Sequence, residues 1–341
     1  MKTDQVYADI LNRVVNKQTL QRYEALNVMQ RIMAGEFSTP QIAALAAALR
    51  VRGETEDEIA GFVDAMRAGA VKVPDPPNGI VDTCGTGGDR LHTFNISTAA
   101  ALVAAGAGAI IAKHGNRAAS SKSGSADVLE ALGVKLELTP EKESQALHEI
   151  GIAFLYARAH HPALKHAAEA RKALGIRTFF NLIGPMTNPA GADRQVMGVF
   201  PGIETDMVAG VLKKLGIQRA LVVRGLDGMD EITLTGATQV SEVDGEKITS
   251  YQYSPADAGL RCAGIEQLRG GDAGENARII LEILNGGQGA CTDITLLNAG
   301  AVLYIAGKAA GIAEGVEIAR DAVLSGAAAR KLEQLIEFTN R

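Results

Sequence analysis

Before residue 73, apolar residues recur every three or four positions in VYADILNRVVN, YEALNVMQRIM, QIAALAAALRV and EIAGFVDAMRA, with no strand-like alternation between them. That spacing keeps one face of a helix apolar, so four consecutive helices are expected. The punctuation agrees. Thr39-Pro40 offers an N-cap followed by proline at the first helical position, Gly53 sits where a helix should stop, and Thr55 with Glu58 has the spacing of a capping box. VKVPDPPNG then gathers three prolines and a glycine, which marks a connection between domains.

Beyond that connection the pattern changes to short apolar runs alternating with helical ones. GIVDTC, AIIAKHG, VKLEL and IAFLYA read as strands, separated by helices in STAAALVAAGAG, ADVLEALG and PEKESQALHEIG. RQVMGVF and RALVVRG continue the series on either side of the helix DMVAGVLKKLG. Such alternation predicts an α/β domain with a central, largely parallel sheet flanked by helices. HHPALKHAAEARKALGIRTFFNLIGP interrupts it with helical spacing, and pattern alone leaves open whether that segment joins the sheet or the N-terminal helices. From Glu275 onward the chain reads as helical again.

The chemistry gathers where strands end, which is where open α/β sheets bind ligands. After GIVDTC comes Gly85-Thr86-Gly87-Gly88-Asp89, leading through RLHTFN to a helix start at Asn95-Ile96-Ser97-Thr98. Glycines let backbone N–H groups approach a ligand, and a helix N-terminus favours an anion. Taken alone the five residues are equally a plain turn, and they match neither GxGxxG nor the P-loop. After AIIA comes KHGNRAASSKSGSAD, where Lys113, Arg117 and Lys122 supply charge and Ser120, Ser121, Ser123 and Ser125 supply short donors. Two facing loops of this composition would grip two phosphate groups, the alternative for the second being a solvated surface. GLDGMDEITL places Asp227, Asp230 and Glu231 at a turn after RALVVRG. Paired carboxylates suit magnesium held jointly with substrate phosphates, and an exposed acidic turn is the plainer reading. Of the histidines, His114 lies in the basic loop, whereas His160, His161 and His166 flank a helix start and read as structural.

Composition narrows the field. The chain has 341 residues with 47% hydrophobic and 21% charged, enough to bury a full core without staples. Its net charge of −5 opposes nucleic-acid binding, so any phosphate must meet a local basic site. Cys84, Cys262 and Cys291 are widely spaced, suggesting neither zinc nor disulfides and fitting a reducing cytoplasm; Cys84 reads as a small buried residue. No run reaches the ~18 apolar residues of a membrane span, and the N-terminus reads as an amphipathic helix.

Taken in order, GTGGD, NIST, KHGNRAASSKSGSADVLEALG, RKALGIRTFFNLIGPMTNP, DGMDE and ENARIILEILNG resemble the signatures of the anthranilate phosphoribosyltransferase family and cover nearly the whole chain. The resemblance implies a small all-helical domain, residues 1–73 with helices from about 163–188 packed onto it, and a large α/β domain of residues 74–162 and 189–341. It also implies a homodimer joined through the helical domains, and the second step of tryptophan biosynthesis. By motif it assigns phosphoribosyl pyrophosphate to Gly85, Gly88, Asp89, Thr93, Asn95, Ile96, Ser97, Thr98, Lys113, His114, Gly115, Asn116, Arg117, Ala118, Ala119, Ser120, Ser121 and Ser125. Anthranilate falls to Gly85, Asn116 and Arg171, and Mg2+ to Ser97, Asp230 and Glu231. The resemblance names no general acid or base. Two departures stand out, Cys84 before the glycine loop and the bulky Arg90-Leu91-His92 after it. Pyrimidine nucleoside phosphorylases and nucleic-acid-binding relatives are the alternatives, opposed by the intact KHGN segment and by the acidic charge balance respectively.

Overall fold

The computed structural model describes residues 3–118 and 122–341; of the expected site, Ala119, Ser120 and Ser121 lie outside the described residues. The chain opens with α1 (Thr3–Val15), α2 (Arg22–Met33), α3 (Thr39–Arg52) and α4 (Glu56–Ala68), the four helices that the spacing predicts. α4 starts with the foreseen box, Thr55 Oγ1 accepting from Glu58 N while Glu58 Oε2 accepts from Thr55 N at 2.9 Å. The acid does more than cap. Glu58 is fully buried, its Oε1 accepts from Leu20 N at 2.8 Å, and Arg52 pairs with its Oε2. One carboxylate thus joins α4 to the entry of α2 and the end of α3. The α3 cap falls one residue earlier than expected: Ser38 is the N-cap, its N–H donating to Gln41 Oε1 at 2.8 Å.

Next come β1 (Val81–Gly85), α5 (Ile96–Gly106), β2 (Ile111–Gly115), α6 (Ser125–Ala131), α7 (Pro140–Glu149), β3 (Ile152–Tyr156), α8 (Ala157–His160), α9 (Lys165–Leu174) and α10 (Phe179–Ile183). α9 and α10 pack on the N-terminal helices, which answers the question their pattern left open. Thr39 Oγ1 donates to Glu169 Oε2 at 3.0 Å, and Phe179 stacks on Phe62 of α4 at a ring separation of 4.4 Å and on Phe180 at 4.2 Å. The remainder is β4 (Arg194–Gly198), α11 (Thr205–Lys214), β5 (Arg219–Gly225), β6 (Thr238–Asp244), β7 (Lys247–Tyr253), α12 (Ala273–Leu284), α13 (Ala290–Ile305), α14 (Ile312–Leu324) and α15 (Ala327–Asn340).

The seven strands form one sheet in the order β3-β2-β1-β4-β5-β6-β7, with the first five parallel and the last two added antiparallel. Period-two alternation divides the buried side chains between the faces. Val196, Leu221 and Val223 join α5 and α13 in one core, while Met197, Ala220 and Val222 join α11 and the helical bundle in another. The second core is continuous from the bundle to the sheet, so the two domains are divided along the chain but share apolar interior. Strand order reverses between β1 and β4, which makes their carboxyl ends the switch point where α/β sheets take ligands.

Two local expectations need correction. VKLEL forms no strand: Val134 and Leu136 are buried, but the backbone between them is unladdered, Lys135 N donating to Thr339 Oγ1 at 3.2 Å. Alternation there reports one buried face against the C-terminal helix. Conversely, the β6–β7 hairpin was not anticipated. Its signal is Gly245 in the two-residue turn Gly245-Glu246 between alternating runs, with Gly245 at φ 56° and Asp244 paired with Lys247. No helix among the described residues is long and apolar enough to cross a membrane.

Candidate active site

β1 and β4 both end in glycine, and the acidic turn after β5 sits over them. A Cβ on Gly85 would lie 2.4 Å from Asp230 Oδ2, and one on Gly198 would lie 1.5 Å from the Asp230 carbonyl oxygen. Asp230 is therefore seated between two strand ends that only glycine leaves open, and its Oδ2 accepts from Gly87 N at 2.6 Å. The loop that follows is unusually rich in left-handed backbone, at Gly87, Gly88, Arg90 and His92. The bulky departures noted in the sequence thus occupy conformations that ordinary side chains disfavour by ~1–2 kcal/mol each. External ties hold the loop in this shape. Gly270 N donates to His92 O at 2.9 Å, Phe94 N to Leu268 O at 3.1 Å, and Asn276 Nδ2 to Asn95 Oδ1 at 2.9 Å. The bridge between Thr93 and Arg269 completes the clamp.

The three acids of the turn divide into two jobs. Asp227 accepts from Met229 N, Thr233 Oγ1 and Thr235 Oγ1 at 3.0, 2.7 and 2.6 Å, so it shapes the turn itself. Glu231 Oε1 accepts from Ser97 N at 3.2 Å, in the first turn of α5, where the helix dipole favours negative charge. Lys113 is buried, and its Nζ donates to Thr83 O at 2.6 Å and to Ser97 Oγ at 3.3 Å. Burial, reinforced by the charge of Asp89, raises the Asp230 carboxyl well above the usual range. Burial and then Asp230 do the same to Glu231, and burial lowers the Lys113 ammonium. Crowded, buried negative charge is the setting a divalent ion would relieve. Among the described residues, no three His, Cys, Asp or Glu side chains converge as a closed metal cage would require. Two carboxylates with the Ser97 hydroxyl suit Mg2+, which keeps coordination positions for water and phosphate oxygens.

The basic loop is tied inward. Asp127 Oδ2 accepts from Ala118 N and from Gly124 N, both at 2.9 Å, closing the two ends of the loop on its own helix. Arg117 spends its guanidinium on Glu130 at 2.7 and 3.0 Å and on Asp127 at 3.1 Å, and Asn116 Oδ1 accepts from Arg117 N at 2.8 Å. Lys122 is exposed. Gly115 and Ser125 touch: a Cβ on Gly115 would lie 2.2 Å from Ser125 Oγ. Asn95 Nδ2 donates to Ser123 O at 3.2 Å, joining this loop to the glycine loop. Thr98 lies buried in α5 close behind them.

At the root of the basic loop, His114 N donates to Asp82 Oδ1 at 3.2 Å, and its ring lies 5.2 Å from that of His161. Burial holds His114 well below the ordinary imidazole range, and burial lowers His161 to about 4. His160 bonds Val71 O at 2.6 Å and Glu143 Oε1 at 3.0 Å, the structural role read from the sequence. Cys84 is buried, accepts from Gln195 Nε2 at 3.3 Å, and is held protonated by burial. Arg171 is exposed on α9 with its guanidinium carbon 5.7 Å from the centre of the Phe180 ring, and it makes no hydrogen bond or ion pair with Gly85 or Asn116 among the described residues. Asp127, Asn276 and Asp82 were not singled out from sequence. Asp127 caps its own helix at the third position, a local signal that could have found it, whereas the partners of Asp82 and Asn276 lie on other elements or several positions away.

A helical bundle joined to a mostly parallel sheet, with glycine, basic and acidic loops meeting near the switch point, defines the class of protein to which the chain is to be compared. The chain belongs to the glycosyl transferase family described by an a/b domain, matched over residues 77–329, and a helical bundle domain, matched over residues 8–70. It is 52% identical to the anthranilate phosphoribosyltransferase of Rubrobacter xylanophilus, across 98% of this chain and 97% of that one. It is 50% identical to that of Methanocorpusculum labreanum, across 96% and 97%. The crystal structure of anthranilate phosphoribosyltransferase from Thermus thermophilus superposes with a TM-score of 0.93 at 45% identity, covering 98% of this chain and 100% of that one. The Saccharomyces cerevisiae enzyme in complex with PRPP and Mg superposes with 0.89 at 26% identity, covering 98% of each.

Proposed function

We infer that this chain transfers the phosphoribosyl group of 5-phosphoribosyl 1-pyrophosphate to the amine of anthranilate, giving N-(5-phosphoribosyl)anthranilate and pyrophosphate, the second step of tryptophan biosynthesis. The observation that carries it is the seat of Asp230 and Glu231 between the glycine loop and the start of α5, with Lys113 beside them. As pyrophosphate leaves, positive charge develops on the ribose and negative charge on the departing oxygens. Preorganised donors aimed at those oxygens therefore lower the barrier. Gly85, Gly88, Asp89, Thr93 and Asn95 to Thr98 would contact the donor from one side, and Lys113 to Ala118 with Ser125 from the other; Ala119, Ser120 and Ser121, assigned with them by motif, lie outside the described residues. Asp230, Glu231 and Ser97 would hold Mg2+, which supplies charge neutralisation of the pyrophosphate when bound.

Anthranilate would lie against Gly85 and Asn116, with Arg171 meeting its carboxylate, since the guanidinium fork pairs bidentately with a planar carboxylate. An aromatic amine is neutral and nucleophilic at pH 7, so placement behind the anomeric carbon supplies much of what the step requires. The reaction is read by loss of anthranilate fluorescence on mixing protein, phosphoribosyl pyrophosphate and Mg2+. No loss under any metal condition overturns the reading. Arg171→Ala should raise KM for anthranilate ~10-fold or more and that for the phosphoribosyl donor far less; equal effects on both would remove Arg171 from the carboxylate. We also propose a cytoplasmic homodimer joined through the helical bundles. Val15, Tyr23 and Val51 are exposed apolar side chains on α1 to α3, and light scattering at the mass of one chain would refute the dimer.

A further inference from the structure

We propose that Arg177 is a further ligand of the substrate pyrophosphate, reaching over the glycine loop from the helical bundle; this rests on the reading of that loop as the pyrophosphate site. Arg177 lies between α9 and α10, after the left-handed Gly175 that ends α9 and before Thr178, the N-cap of α10. Its guanidinium carbon stands 4.5 Å from the centre of the Phe200 ring. Phe200 is itself fixed: it is buried, and its N–H donates to Thr86 Oγ1 at 3.0 Å, inside the glycine loop. Contact with this ring therefore holds the guanidinium beside that loop before any ligand arrives. The edge turned toward the loop is the one bearing Nε and Nη2, which would lie 3.0 and 3.1 Å from a Cβ on Gly88. That edge grips oxyanions with two parallel hydrogen bonds.

Among the described residues Arg177 has no hydrogen-bond or ion-pair partner, although Asp89 and Asp230 are near enough to act on its charge. Arg90 and Arg50 also act on its charge, and the cations of the basic loop are differently placed. Arg117 is taken up by Asp127 and Glu130, and Lys113 by Thr83 O and Ser97 Oγ. A highly charged leaving group beside Gly88 would find in Arg177 an oriented guanidinium whose donors are not already engaged. Gly88, at φ 78°, leaves room for it, since a side chain there would meet the guanidinium directly. The two bundle arginines then divide the substrates between them, Arg171 to anthranilate and Arg177 to pyrophosphate.

The test compares inhibition by Mg2+-pyrophosphate with the two Michaelis constants. Arg177→Ala should weaken pyrophosphate inhibition and raise KM for the phosphoribosyl donor by ~10-fold or more, the usual range for a lost charge-assisted bond. KM for anthranilate should move by less than about twofold, and Arg171→Ala should show the reverse pattern. Arg177→Lys keeps the charge without the two-donor edge and should fall between. Phe200→Leu removes the stacking partner and should shift the same constants by a smaller amount. If the alanine variant does not fold, as judged by its melting temperature, the lysine and leucine variants decide. An active, pyrophosphate-inhibited enzyme whose Arg177 variants keep wild-type inhibition, or lose affinity for anthranilate instead, overturns the role of Arg177 alone. A wild-type enzyme insensitive to pyrophosphate overturns the reading of the glycine loop and this inference with it.

Discussion

The loops after β1 and β2 leave adjacent parallel strands and carry similar small and charged residues, yet they are secured in opposite ways. The glycine loop is held from outside, by Asp230, by Asn276 and by the backbone at Leu268 and Gly270. The basic loop is held from within, by Asp127 of the helix it feeds. The first loop keeps its shape through distant elements, including several left-handed residues that would otherwise relax. The second is closed by its own Asp127, which competes for the same backbone N–H groups a phosphate would seek, and it meets the first through Asn95 and Ser123. Preformed geometry on one side thus faces an exchangeable arrangement on the other.

Replacing both Asp230 and Glu231 by alanine tests the outside-held loop most severely. Turnover should fall by ~10²–10³-fold, the size expected when stabilisation of developing charge is lost, and magnesium dependence should weaken; normal turnover in the fluorescence assay would remove both acids from the site. Asp127→Ala tests the inside-held loop. Freed ends should lower kcat/KM for the phosphoribosyl donor by ~10-fold with little change in KM for anthranilate, as expected for the loss of one or two hydrogen bonds to a charged group. A pair of glycine variants sharpens the contrast further. Gly87→Ala meets no atom within 4 Å and should cost only backbone strain, ~1–2 kcal/mol in thermal stability. Gly88→Ala adds contact with Arg177 and should lose more activity than Gly87→Ala at similar stability, measured as kcat on folded protein.

The smallest effect concerns the root of the basic loop. His161 titrates near 4, below the ~6.5 of an unfolded imidazole, so its contribution to stability is complete above pH 6.5 and is lost as pH falls toward 4. His160 acts in the other direction because Glu143 raises it against its own burial. His161→Asn should therefore lower the acid-unfolding midpoint, by less than about one pH unit since His114 keeps its own penalty. A midpoint that rises would reverse the assignment.

Much of this was legible because it is local. The four opening helices, the Thr55 box and the strand-loop-helix series are written in spacing. The acidic turn was visible too, but its division of labour was not. Asp227 and Asp230 look alike in sequence, and only the positions of Thr233, Thr235 and Gly87 distinguish the acid that shapes the turn from the acid that faces the site. The charge of Arg117 was legible, but its pairing with Glu130, thirteen positions on and past the loop, was not. VKLEL misled because alternation records burial of one face, and a helix can cover that face as well as a sheet can.

The glycines that end β1 and β4 have a consequence for how damage to this protein would present itself. Gly198 carries no functional group and lies outside the loop motifs that mark the site in the sequence, yet any side chain there would collide with the Asp230 main chain. A genetic screen would score its replacement as a catalytic lesion in a protein whose reactive groups were all intact. Part of the site's chemistry is thus encoded as vacant volume, in a residue whose whole contribution is what it omits.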